Sequence, residues 1–412
     1  MRDFWRKNKP YLIAAGAIVI ALAVVTILIS SGVFKKQPEP VVNPDITQIP
    51  EPTEEPIETP VPTPSEVIDE PVVYPEPEYD FNVEDVYVYI PGLEKEYTIA
   101  WVSDAHILTD FEPAEDIAED QVETITTRRD LAFVDIYGTP SYKVWPEIIA
   151  FLNYNNPDAI IFGGDIMDYC SEANINYVSE LLNNNLRGDI PYMYIRADHD
   201  YGAWYSNGLY SEVDTMGMHA EKFLDEDSSD LKMLDFNEFK IIGINGSTKD
   251  MPEWQYNWFM NRYQSSYDSG QPVIIATHVP YESHIEEVEK ELSDLSFQIR
   301  NKTYYWGGGD YVPNETTRQF FDKIYAEDTV VKQVLAGHLH ASFDGKISEQ
   351  VSEHIFAPAY SGSIGMVHIM SEESRNSNID NQTDEMESSE QDTDEEIKEV
   401  SDGTMNEGQN NA

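Results

Sequence analysis

The sequence predicts an α/β domain over residues 81–370, and two observations carry that expectation. Short apolar runs with the length of buried strands recur through the region, separated by amphipathic stretches of helical length. Five of these runs are each followed by a cluster of Asp, His or Gly, the residue types that bind metals or let a backbone approach them closely.

Taken from the N-terminus, residues 1–10 contain Arg2, Arg6, Lys7 and Lys9, and residues 11–34 (YLIAAGAIVIALAVVTILISSGVF) contain no charge. About 20 apolar residues at ~1.5 Å rise cross a ~30 Å hydrocarbon core. The run is longer than the roughly 7–15-residue apolar core of a cleaved signal peptide. The sequence therefore predicts one transmembrane helix over 11–34. The basic residues ahead of it keep residues 1–10 cytoplasmic, and the rest of the chain is expected outside the cytoplasm at the cell membrane. A long signal peptide that is removed is the alternative reading. Residues 35–80 follow as a linker: positions 37–80 hold 12 acids, no Lys or Arg, and 12 of the chain's 24 prolines. Such a composition favours extended polyproline II and buries no core. Residues 371–412, rich in Ser, Asp, Glu, Asn and Gln and without an aromatic residue, read as a disordered acidic tail.

Inside the domain the apolar runs are Tyr97–Val102, Ala159–Phe162, Tyr192–Ile195, Val273–Ala276 and Val331–Leu335. Helical stretches are expected at Val144–Asn153, Tyr177–Leu186 and Trp254–Tyr263, and LKMLDFNEFKIIGI reads as a hairpin turning near Asn237. The first run leads into Asp104-Ala105-His106. The second leads into Gly164-Asp165-Ile166-Met167-Asp168, and the third, after Arg196-Ala197, into Asp198-His199-Asp200. The fourth and fifth lead into Thr277-His278 and Gly337-His338-Leu339-His340. In α/β sheets the carboxyl ends of strands line the site, so separate segments deliver these side chains to one crevice. Asp at a strand end is common as a helix cap, and a lone buried His is usually just hydrogen-bonded. Five of the nine His in one repeated context are harder to explain that way.

The ordered set D-x-H, G-D-x-x-D, D-H-D, H and G-H-x-H resembles the calcineurin-like metallophosphoesterase family over roughly residues 97–370, with Tyr360–Ile369 closing the domain. The resemblance implies a two-sheet β-sandwich flanked by helices, with two divalent or mixed-valence metal ions (Mn, Fe or Zn) at one end. By the same resemblance Asp104, His106, Asp165 and His340 hold one ion. Asp165 bridges to a second held by Asp198, His278 and His338. His199 lies just outside the ligands, stabilising or protonating the leaving oxygen, with Asp200 orienting it; Asp168 has a supporting role. A mixed carboxylate and imidazole set suits those metals independently of the resemblance. Two ions ~3.5–4 Å apart can clamp a phosphoryl group and acidify a bridging water. The family usually has asparagine where this chain has Asp198, which adds a negative charge and leaves open a site that binds metal but turns over slowly.

The chain carries 26 basic and 76 acidic side chains, for a net charge of −50. The domain alone has 49 acidic against 18 basic, which argues against nucleic-acid partners. The implied function is hydrolysis of phosphate mono- or diesters by a membrane-anchored, extracytoplasmic enzyme. A metal-binding surface protein with a weak or inactive site is the alternative. Further substrate contacts are sought in Arg128 and Arg129 of EDQVETITTRRDLAF, in the aromatic and glycine-rich Tyr304–Tyr311, and in Tyr281 and Glu282 beside His278. The one cysteine, Cys170, excludes an intramolecular disulfide.

Overall fold

The computed structural model describes residues 73–109, 119–169, 171–201, 233–246, 250–295, 306 and 313–375. The apolar run 11–34, most of the 35–80 linker, the tail beyond residue 375 and Cys170 lie outside these. Among the described residues no helix is long and apolar enough to cross a membrane.

Among the described residues eleven strands form two mixed sheets. In chain order they are β1 (Asn82–Ile90), β2 (Tyr97–Val102), β3 (Ala159–Phe162), β4 (Tyr192–Tyr194), β5 (Met233–Asp235), β6 (Lys240–Ile244), β7 (Val273–Thr277), β8 (Val331–Ala336), β9 (Phe343–Lys346), β10 (Ser352–Ile355) and β11 (Ser363–Ser371). The first sheet runs β1-β11-β2-β3-β4 and the second β5-β6-β7-β8-β10-β9. The β2, β3 and β4 strands are parallel in one sheet, as are β6, β7, β8 and β10 in the other. All five apolar runs are strands in these parallel stretches, where both faces are covered and alternation disappears.

Alternate residues show what covers each face. Ile99, Trp101, Ala159, Ile161, Met193 and Ile195 of the first sheet pack against Phe239, Ile241, Ile274, Ala276 and Leu335 of the second. On the outer face of the first sheet, Ala100, Val102, Ile160 and Phe162 meet Trp145, Ile148 and Leu152 of α2 (Ser141–Asn155) and Val178 of α3 (Glu172–Asn184). On the outer face of the second, Ile242, Ile244, Val273 and Ile275 meet Phe259 and Tyr263 of α5 (Glu253–Ser269) and Phe320 and Ile324 of α7 (Glu315–Ile324). The result is a helix–sheet–sheet–helix sandwich. Three further helices, α1 (Glu119–Thr127), α4 (Asp198–Tyr201) and α6 (Glu286–Leu295), lie in the connections, and a π-helical turn, Arg128–Ala132, extends α1.

Several elements exceed their sequence-based limits for local reasons. Helix α2 contains Pro146, which cannot donate to the carbonyl of Tyr142. That carbonyl instead accepts from the Tyr177 hydroxyl of α3 at 2.6 Å, so the helix runs through the proline. Helix α3 begins five residues before Tyr177 because Ser171 caps it, its Oγ accepting from Asn174 N at 3.1 Å. The β5–β6 hairpin turns at Asn237, whose φ of 65° suits an asparagine. The end of the stretch assigned to the linker packs on the domain: Tyr79 donates to Asp135 at 2.6 Å, and its ring lies 4.5 Å from Phe81.

Candidate metal centre

The carboxyl ends of β2, β3, β7 and β8, with α4 just after β4, bring the five sequence clusters to one end of the sandwich. The loops after β2 and β3 continue to pair with each other beyond the strands. Asp104 N donates to Gly164 O at 2.9 Å, His106 N to Asp165 O at 2.9 Å and Ile107 N to Ile166 O at 2.8 Å. The β8 loop is tied in through Asp104, whose two carboxylate oxygens each lie 3.1 Å from His338 N. Two glycines are needed for this approach. A Cβ on Gly164, at φ 97°, would sit 2.8 Å from His278 Nδ1, and one on Gly337 would sit 2.5 Å from the Asp104 carboxylate.

Seven non-glycine residues among those described have positive φ, and five belong to this site: Asp104 (54°), His106 (45°), Asp165 (51°), His338 (71°) and His340 (53°). Left-handed backbone costs a side chain on the order of 1 kcal/mol or more and persists where the surroundings enforce it. The strain turns alternate side chains inward, so that Asp104 with His106, and His338 with His340, reach the same space.

Two groups of ligand atoms result, with the atoms of each group within 4.8 Å of one another. One comprises Asp165, Asp198, His278 and His338; the other comprises Asp104, His106 and His340. Asp165 lies between them: its Oδ2 is 3.0 Å from His278 Nε2 and 3.9 Å from His106 Nε2, and it also groups with His106 and His199. Ring nitrogens face ring nitrogens, with His106 Nε2 3.1 Å from His340 Nε2 and His338 Nδ1 3.3 Å from His278 Nε2. Such pairs of lone pairs aimed at one another among three carboxylates fit a cation between them, and the mixed N/O donors fit a transition metal.

The electrostatics follow from the crowding of opposite charges. Burial pulls His278 down, but the Asp165 and Asp104 carboxylates outweigh it and raise it to about 10. Burial, then the neighbouring His278, pushes His338 down to about 4. Burial opposes ionisation of Asp104 and Asp165, yet His278 and its neighbours hold both well below the usual carboxylate range. His199 is lowered by burial and raised more by Asp165, Asp198 and Asp168.

Residues 97–342 match the family described as calcineurin-like phosphoesterase. The chain belongs to that family. As solved structures, a dimetal phosphatase from Danio rerio aligns at 11% identity and TM-score 0.38 over 64% of this chain and 88% of its own. A purple acid phosphatase from yellow lupin (Lupinus luteus) aligns at 13% identity and TM-score 0.35 over 66% of this chain and 45% of its own. A putative 5'-nucleotidase from Staphylococcus aureus aligns at 11% identity and TM-score 0.29 over 64% of this chain and 49% of its own. No curated protein sequence matches the chain.

Three expectations for this phosphoesterase domain differ from what the structure holds. Asp200 does not orient His199: its carboxylate accepts from Asp165 N, Met167 N, Ala197 N and the Tyr194 hydroxyl at 2.9–3.0 Å. It is a knot beneath the β3 and β4 loops, and burial, then Asp165, pushes it up to about 6. His199 is held instead by Asp168, whose carbonyl oxygen is 2.7 Å from its Nδ1. Tyr281 does not line the site. It is fully buried among Trp306, Phe320 and Phe321, and Trp306 itself, from the Tyr304–Tyr311 segment, is part of that core. The other residues of that segment lie outside the described ones. Two site neighbours had no sequence signal: the Phe133 ring stacks on His106 at 4.1 Å, and the Tyr360 hydroxyl is 3.4 Å from His340 Nδ1.

Proposed function

We propose that the chain is a membrane-anchored, extracytoplasmic, metal-dependent hydrolase of phosphate mono- or diesters. The observation that carries this reading is the pair of adjacent ligand groups, one holding Asp165 and the other His106, with the Asp165 carboxylate between them and His199 grouped with both residues. Asp104, His106 and His340 would hold one ion and Asp198, His278 and His338 the other, with Asp165 common to both; Mn, Fe or Zn suit the donors. When bound, the two ions would polarise phosphoryl oxygens and acidify a water. The protein's own part is positional. Because a carbonyl oxygen only accepts, the Asp168 carbonyl fixes the proton of His199 on Nδ1. Against burial, the Asp165, Asp198 and Asp168 carboxylates favour a second proton on the ring, and that proton, on Nε2, is the one His199 would donate to a leaving oxygen. The acidic domain favours small esters drawn in by the centre over polyanions.

The test is manganese-dependent hydrolysis of p-nitrophenyl phosphate and bis-p-nitrophenyl phosphate by the full chain in detergent. Asp165→Asn should lose both metal and activity. His199→Asn should keep metal and lose roughly 10²–10⁴-fold in kcat. Equal rates in wild type and both variants would defeat the hydrolase. Metal binding without turnover in the wild type would instead favour a metal-binding surface protein.

A further inference from the structure

The connection between β2 and β3 carries Arg128, whose guanidinium reaches back to Asp168 of the β3 loop. Arg128 Nη2 donates to Asp168 Oδ1 at 2.9 Å, and Nε lies 3.4 Å from Asp168 Oδ2, so the two carboxylate oxygens face one guanidinium. The Asp168 side chain is fully buried, whereas that of Arg128 is 24% exposed. The same Asp168 Oδ1 lies 3.3 Å from His106 Nδ1 and 3.4 Å from His199 Nδ1. On the other side Arg128 sits 4.5 Å over the Phe133 ring, and Phe133 lies parallel to the His106 ring, 4° from coplanar, at 4.1 Å.

We infer that Arg128 is a positioning residue for the metal centre, acting through Asp168 and Phe133 on His106 and His199; the inference rests on the metal-centre reading above. A buried carboxylate is stable as an anion only with a cation or donors around it. Arg128 supplies that cation from a planar fork, which fixes the plane of the carboxylate as well as its charge. With Asp168 fixed, Oδ1 accepts from His106 Nδ1, and His106 Nε2 is presented toward His340 and Asp165. A carboxylate behind an imidazole sets tautomer and ring direction in this way and raises the ring's basicity. Phe133, held under the guanidinium, covers the outer face of the same ring and stops it from tilting. Lysine would keep the charge and lose the fork.

The experiment is calorimetric titration of Mn²⁺ into the metal-free full chain in detergent, with parallel kinetics. Outer partners of ligating imidazoles are typically worth about 10–100-fold in metal affinity. Arg128→Ala should therefore bind Mn²⁺ about tenfold more weakly, with Arg128→Lys in between. In an Asp168→Asn background, Arg128→Ala should change the affinity by less than in the wild type, because the route through Asp168 is already cut and only Phe133 remains; an undiminished effect there would overturn the inference. Wild-type Mn²⁺ affinity in Arg128→Ala would overturn the inference, and a raised KM with unchanged affinity would do so in favour of a direct substrate contact. Should the alanine variant fail to fold, Arg128→Lys decides: wild-type affinity there overturns it. A wild-type chain that binds no Mn²⁺ would remove the metal-centre reading and this inference together.

Discussion

Asp198 brings a third carboxylate to the two ligand groups, where an asparagine would bring a neutral amide of the same shape. It groups with Asp165, His278 and His338, so its charge acts at the centre directly. Asp198→Asn should weaken Mn²⁺ retention on the order of tenfold, as ligand charge count does in other cation sites. It should also move the rising limb of the pH–rate profile to lower pH, because one negative charge fewer opposes ionisation of a water there. Unchanged affinity together with an unchanged profile would reject the charge argument. At this scale the sequence is informative about ligand types and much less so about their supports. Asp104, His106, Asp165, Asp198, His278, His338 and His340 stand out because each follows a strand-like run. Asp200 looks like the partner of His199 by adjacency, yet the four-residue helix α4 turns it down into the loops while His199 turns toward Asp168.

Strands carry the site, and β10 also carries a buried acid that ties the stability of the fold to pH. Glu353 of β10 is 1% exposed, and its carboxylate accepts from Tyr281 N at 2.8 Å. Burial, and then Glu289, raises Glu353 to about 8. The folded chain thus keeps a proton that the unfolded chain releases above about 4.3. The sign follows from proton linkage: stability tied to this proton is present below that value and lost as the pH rises through about 8. Glu353→Gln keeps the acceptor for Tyr281 N and removes the titration. Its stability relative to wild type, measured by urea unfolding of the metal-free chain, should be near unchanged at pH 4.5. The gain should grow to a few kcal/mol at pH 8.5. An equal difference at both pH values would reject the buried-acid account. Among elements, the parallel central strands were legible because burial on both faces writes continuous apolar runs. Strands β9 and β10 were not, since FDGK and SEHI each hold a single apolar residue; β1, NVEDVYVYI, is apolar mainly in its second half and opens on Asn82, Glu84 and Asp85 directly after the acidic linker. Helix α2 runs through Pro146 and starts three residues before the expected Val144, and the Tyr142 carbonyl that the proline leaves without a helical donor accepts from the Tyr177 hydroxyl of another helix.

For the whole molecule, the proposed anchor and the formal charge make a joint expectation. A net charge of −50 repels anionic lipid, so any membrane association must come from the apolar run 11–34. The full chain expressed in cells should sediment with membranes in high salt and be released by detergent, and protease added outside intact cells should cleave the domain. Release by salt alone, or a domain that stays protected, would count against the anchor or its orientation. The sequence by itself determined the family, the α/β alternation and the order of ligand-bearing loops, because these are written in local periodicity and in residue type at strand ends. Only the tertiary structure decided how close the ligand atoms come, that Asp200 is a knot, and that Arg128 stands behind Asp168. His106 and His340 are 234 positions apart and meet at 3.1 Å. Such meetings are fixed by how two sheets pack and by which rotamers that packing leaves open, neither of which is encoded in any one segment.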